Sequence, residues 1–110
     1  MPKGEFLGEF EQLVLLALMR LGDDAYGMRV RQEIKGRTGR DVSIGAIYTT
    51  LNRLEEKKLI TSELGEATEA RGGRAKRMFT ITADGERALE RAHQSIGRML
   101  EGLNAALKPS

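Results

Sequence analysis

The chain has 110 residues, 40% of them hydrophobic and 31% charged, with thirteen glycines, two prolines and no cysteine. That describes one small folded domain with a modest core, and it excludes disulfide scaffolds and thiolate metal sites. The net charge is only +2, so any preference for a charged partner must come from how the charge is distributed. With a single histidine and no cluster of His, Asp and Glu at ligand spacing, no catalytic, cofactor or metal site is expected, and an enzyme is the minority class. The longest apolar run, residues 13–19, is far below the roughly 20 residues of a membrane span, and the start lacks a signal-peptide pattern. A cytoplasmic protein without a membrane partner is the expectation.

The charge is segregated. Residues 5–24 carry five acids against Arg20, whereas residues 29–40 carry Arg29, Arg31, Lys35, Arg37 and Arg40 against Glu33. Arg71, Arg74, Lys76 and Arg77 follow unopposed within residues 71–77. Either basic segment alone could be an ordinary solvated face; together they read as a polyanion-binding surface.

Along the chain, Phe10, Leu13, Val14, Ala17, Leu18 and Leu21 form one helical stripe, which Leu15 and Leu16 widen enough to bury the helix on most sides. Gly22, Asp23 and Asp24 stop it and offer an N-cap to a second helix with Tyr26, Val30 and Ile34 on one face, ended by Gly36 and Gly39. Ser43 caps a third helix, whose apolar face is Ile44, Ile47, Tyr48, Leu51 and Leu54 and which closes near Lys57 and Lys58. Its opposite face, Gly45, Thr49, Asn52 and Arg53, is small and polar. Such a face does little for stability but lets a backbone come close to a polar partner, although an ordinary amphipathic helix is the simpler alternative.

Residues 59–64 and 77–82 are β-branched and aromatic enough for strands, the second with Phe79 and Ile81 on one face. Their hairpin connection, residues 65–76, is long and holds Arg71-Gly72-Gly73-Arg74, a flexible basic tip suited to a phosphate backbone. Thr82 then caps a helix predicted to run to Leu107. In it Leu89, Ile96 and Leu103, with Ala92, Met99 and Ala106 three residues after each, form a heptad seam. At about 36 Å this helix exceeds what one domain needs. The surplus stripe implies a partner helix, most economically from a second copy, with packing back onto the same chain as the alternative.

Three helices, a two-stranded basic wing and a long helix make a mainly α protein with a small β-hairpin: a winged helix-turn-helix domain (residues 1–82) plus a C-terminal dimerisation helix (residues 83–110). The sequence resembles the PadR family of transcriptional regulators. The resemblance is carried by residues 13–18 (Leu-Val-Leu-Leu-Ala-Leu), Ala25-Tyr26-Gly27, the run Ser43-Ile44-Gly45-Ala46-Ile47-Tyr48-Thr49-Thr50-Leu51-Asn52-Arg53-Leu54-Glu55, and Gly73-Arg74 ahead of residues 79–85 (Phe-Thr-Ile-Thr-Ala-Asp-Gly). It spans nearly the whole chain, the third-helix run being its most specific part. One helix after the wing matches the short subgroup of the family. Ala75 stands where many relatives carry proline, Met78-Phe79 replaces a frequent tyrosine pair, and no tryptophan is present to stack a flat ligand.

The resemblance implies a homodimeric regulator, usually a repressor, that binds a palindromic operator in double-stranded DNA and releases it when a small hydrophobic effector binds. It implies dimerisation through the last helix and the first, with Leu13, Leu89, Ala92, Ile96, Met99, Leu100 and Leu103 at the interface. In a two-fold dimer the third helices would enter major grooves about 34 Å apart. Ser43, Gly45, Tyr48, Thr49 and Arg53 would lie nearest the DNA, with Arg71, Arg74 and Lys76 on the flanking phosphates or minor groove. Arg53 suits a guanine and Thr49 a thymine methyl. Tyr48 reads both as a packed ring and as a phenol facing a phosphate. His93 reads as a surface or interface residue, and Met19, Met28, Met78 and Met99 as core fillers or as the lining of an adaptable effector pocket. A non-specific architectural DNA-binding protein and a winged-helix docking module are the competing classes.

Overall fold

The computed structural model describes residues 6–65, 75–103 and 105–107. Helix α1 (Glu9–Leu21) leads through a short 3-10 turn (Gly22–Asp24) to α2 (Gly27–Thr38) and α3 (Ile44–Glu56). Strands β1 (Ile60–Leu64) and β2 (Arg77–Ile81) follow, then α4 (Ala83–Leu100). The strands pair antiparallel with Ile60 opposite Ile81 and Leu64 opposite Arg77. This is the winged helix-turn-helix arrangement, with a long helix after the wing.

The hydrophobic stripes converge on one core. Val14, Leu15 and Leu18 from α1, Val30 and Ile34 from α2, and Ile47, Leu51 and Leu54 from α3 meet Ile60, Phe79, Ala88 and Leu89. Burying a side chain of this size stabilises by about 1.5–3 kcal/mol, so this shared cluster fixes the tilt of α3 more firmly than any single polar contact. Two caps fall where their sequence places them: Ser43 Oγ accepts from the Ala46 amide at 3.1 Å and Thr82 Oγ1 from the Gly85 amide at 3.0 Å.

Several elements differ from the sequence-based expectation. Helix α1 is not buried on most sides, because Leu16 points outward while Leu15 is sealed in the core. Asp23 and Asp24 do not cap α2; they lie in the 3-10 turn, and Tyr26 occupies the N-cap position without a side-chain bond. The intervening residues instead join the wing: the Phe79 amide donates to the Ala25 carbonyl at 2.8 Å, and Tyr26 bridges Met78. Gly36 lies inside α2, which ends at Gly39 with φ 77°.

The last helix stops at Leu100 rather than at Leu107. Glu101 adopts an extended ψ of 129°, and a further turn follows in which the Leu103 amide donates to the Leu100 carbonyl at 2.8 Å and the Leu107 amide to the Leu103 carbonyl at 3.1 Å. An apolar stripe continues through both pieces, so periodicity could not show the break. Gly85 lies close beneath β1, where a Cβ would overlap the Leu59 carbonyl. That contact explains the glycine at position 85. Met19, Met28 and Met99 are exposed and Met78 is half-buried, so these methionines neither fill the core nor gather around one pocket.

Candidate nucleic-acid interface

The two faces of α3 are sharply divided. Ile47, Thr50, Leu51 and Leu54 are buried, while Gly45, Thr49, Asn52 and Glu56 are exposed. The latter four lie at i, i+4, i+7 and i+11, one straight row along the helix opposite its packed side. Ser43 and Ala46 expose the start of the helix beside this row. Arg53 is exposed on its flank and lies near enough to Glu11 for its charge to act on that carboxylate.

Tyr48 occupies the opposite flank, towards the wing, 37% exposed and with its ring centroid 6.3 Å from that of Phe79. The ring lies directly on the backbone of α2: a Cβ at Gly27 would come within 2.5 Å of the phenol. Glycine at position 27 therefore makes room for Tyr48, which links two separate parts of the family-like sequence by one contact. Tyr48 is therefore packed against α2 through its phenol end, with the residue as a whole partly open to solvent.

Two polar links fix α3 against its neighbours. Glu11 is 6% exposed; its carboxylate accepts from the Gly8 amide at 2.9 Å and from Lys57 Nζ, just beyond the end of α3, at 2.9 Å. Burial opposes ionisation of Glu11, but the Gly8 amide, the Lys57 ammonium and the Arg53 charge outweigh it and hold the carboxyl below its ordinary pKa. On the wing side, Ser62 Oγ donates to Glu55 at 2.7 Å and accepts from Arg77 Nη1 at 2.9 Å, joining both strands to α3.

The basic segment 29–40 is not an open cationic surface. Arg29 pairs with Asp24 at 3.0 Å, Arg31 and Lys35 with Asp41 at 2.9 and 3.7 Å, Arg37 with Glu33 at 2.5 Å and Arg40 with Glu9 at 2.7 Å. Folding returns part of the acidic 5–24 segment to these cations, so their excess charge is largely cancelled at short range. In the wing, the Lys76 ammonium lies 4.9 Å from the Tyr26 ring centroid, beside the α3 flank that carries Tyr48. Arg71 and Arg74 lie outside the described residues.

The expected dimer residues divide into two groups. Leu89 is consumed by the core of its own chain, and Leu13 packs against it; Ala92 and Leu100 are half-buried. Ile96 and Met99 are 57% and 77% exposed, and Leu103 and Leu107 are also open. Beside them, Phe6 and Leu7 face Ala92 and Ile96 across a groove of about 450 Å³. No helix among the described residues is long and apolar enough to cross a membrane.

A three-helix core with a recognition-type helix and a two-stranded wing defines a winged-helix protein. Residues 15–91 match the model of the transcriptional regulator PadR-like family, and the chain belongs to that family. A PadR family transcription regulator from Clostridium difficile R20291 is similar at 27% identity and a TM-score of 0.74, covering 91% of this chain and 99% of its own. A PadR-like transcriptional regulator from Bacillus cereus is similar at 26% identity and a TM-score of 0.71, covering 92% and 93%. Bacillus subtilis PadR, solved in complex with operator DNA, shares the fold at 23% identity and a TM-score of 0.63, over 74% of this chain and 46% of its own. No curated protein matches the sequence.

Proposed function

We propose that this protein is a sequence-specific DNA-binding regulator, a homodimeric repressor that recognises a palindromic operator and is released by a small hydrophobic effector. The observation that carries the reading is the division of α3, whose packed side is sealed in the core while its outer row of Gly45, Thr49 and Asn52 stays small, polar and open. Family membership and the operator complex of Bacillus subtilis PadR support it. Ser43, Gly45, Tyr48, Thr49 and Arg53 form the major-groove contact, and Arg71, Arg74 and Lys76 hold flanking phosphates.

Residues 1–82 serve as the DNA-binding part and residues 83–110 as the dimerisation part of one compact unit. Pairing of two copies through Ile96, Met99 and Leu103 would cover the exposed stripe of α4 and set two α3 helices one DNA turn apart. The groove between Phe6, Leu7, Ala92 and Ile96, whose wall also carries Gln12, Gln94, Ser95, Arg91 and Arg98, lies beside that stripe and offers the effector a seat with both apolar and polar walls. A ligand there acts on DNA binding only through different affinity for the two dimer geometries.

The test is selection from a random duplex pool at near-physiological salt, followed by titration of the enriched sequence against scrambled DNA. A palindrome with half-sites about one turn apart is the expected result. Binding without enrichment would indicate an architectural protein, and absence of binding a docking module.

A further inference from the structure

We infer that Asn52 reads an adenine in each half-site and is the principal base-specificity determinant of α3, an inference that rests on the DNA-binding reading above. Asn52 stands in the middle of the outward row, seven residues after Gly45 and three after Thr49, and is exposed. Among the described residues its carboxamide has no hydrogen-bond partner. Asparagine is one of the poorer helix formers and is usually placed where its side chain caps or turns the backbone. At position 52 it does neither, so folding supplies no reason for it.

The surroundings favour base contact over phosphate contact. The row rises by about 10 Å from Gly45 to Asn52, which is about three base-pair steps. Gly45 and Ala46 add almost no bulk at the near end, so the helix can approach the groove floor closely enough for a short side chain to reach a base edge. The next residue of the row, Glu56, is an exposed carboxylate that a phosphate would repel, which sets the far limit of contact just beyond Asn52. Arg53 follows Asn52 by one residue, about 100° around the helix, and so lies on the flank of the row. A carboxamide offers one acceptor and two donors, matching N6 and N7 of adenine in the major groove.

The experiment compares the full-length wild type with Asn52→Ala in the duplex selection, then titrates both against the enriched operator, its single-base variants and an operator carrying 7-deazaadenine. Asn52→Ala touches no packed side chain and replaces a poor helix former by the best one; an unchanged melting temperature verifies its fold. The expected result is loss of preference at one A·T pair per half-site, a change of about 5- to 150-fold, with other positions retained. Wild type should lose a similar factor on 7-deazaadenine at that pair, and the variant should not. An identical preference in both proteins, or a uniform weakening on every sequence, overturns the assignment of Asn52 while leaving the operator reading intact. A wild type that enriches no sequence overturns both, and the wild-type titration alone reveals it.

Discussion

At the scale of single residues, Glu11 and Gly27 each join segments that are distant in sequence. The pKa of Glu11 is lowered in the folded state, so between the folded and unfolded values the unfolded chain binds more protons. The stability Glu11 contributes is therefore complete above the unfolded pKa and is lost as the pH falls through the folded one. Urea unfolding of wild type and Glu11→Gln from pH 7 to pH 3 should show the variant less stable at neutral pH and the gap closing in the acid range. A constant gap would mean that the Lys57 pair is energetically neutral. Gly27→Ala forces a methyl onto the Tyr48 ring and should cost about 1–3 kcal/mol, as overpacking does. If the clash is the cause, adding Tyr48→Ala recovers part of that loss, and a double-mutant cycle of chemical-denaturation midpoints would show strong coupling.

At the scale of elements, the wing is fastened in two ways: by the Arg77–Ser62–Glu55 chain of hydrogen bonds and by the Ala25–Phe79 backbone bond. Both tie the two strands to the helical part of the chain, so the described part of the wing and α3 are held together as one surface. The cations of α2 and its flank are engaged in surface ion pairs, so the proposed function assigns the phosphate contacts to the wing. Replacing Arg74 and Lys76 together with alanine should weaken binding to any duplex and flatten the plot of log affinity against log salt by about 2. An unchanged slope in fluorescence-anisotropy titrations would remove the wing from the interface.

At the scale of the whole molecule, the unpaid surface is the stripe through Ile96, Met99, Leu103 and Leu107. The first turns of α4 are spent on the chain's own core through Ala88 and Leu89, and only the remainder is available to a second copy. Ile96→Glu should leave the fold intact, because Ile96 is exposed within one chain, yet place an unpaired charge in the proposed helix contact. Sedimentation should find the variant monomeric, with operator affinity reduced because a single half-site offers too few contacts. A variant that sediments as a dimer would move the interface elsewhere on the chain.

Much of this architecture follows from local rules. The 3.6-residue stripes place α1, α2 and α3, the hydroxyls of Ser43 and Thr82 cap α3 and α4, and alternation around Phe79 marks the wing, because each signal is complete within a few neighbouring residues. The outward row of α3 is legible for the same reason, and Asn52 could have been chosen from it by its spacing from Gly45 and Thr49. Other features depend on which distant segments meet. The pairing of Arg29 with Asp24 and of Arg40 with Glu9 reduces a basic surface that one-dimensional charge counting suggests, since charges interact through space and not along the chain. The same holds for the need for glycine beneath Tyr48, for the burial of Leu89 within its own chain and for the break after Leu100, where an uninterrupted apolar stripe hides a change in backbone direction.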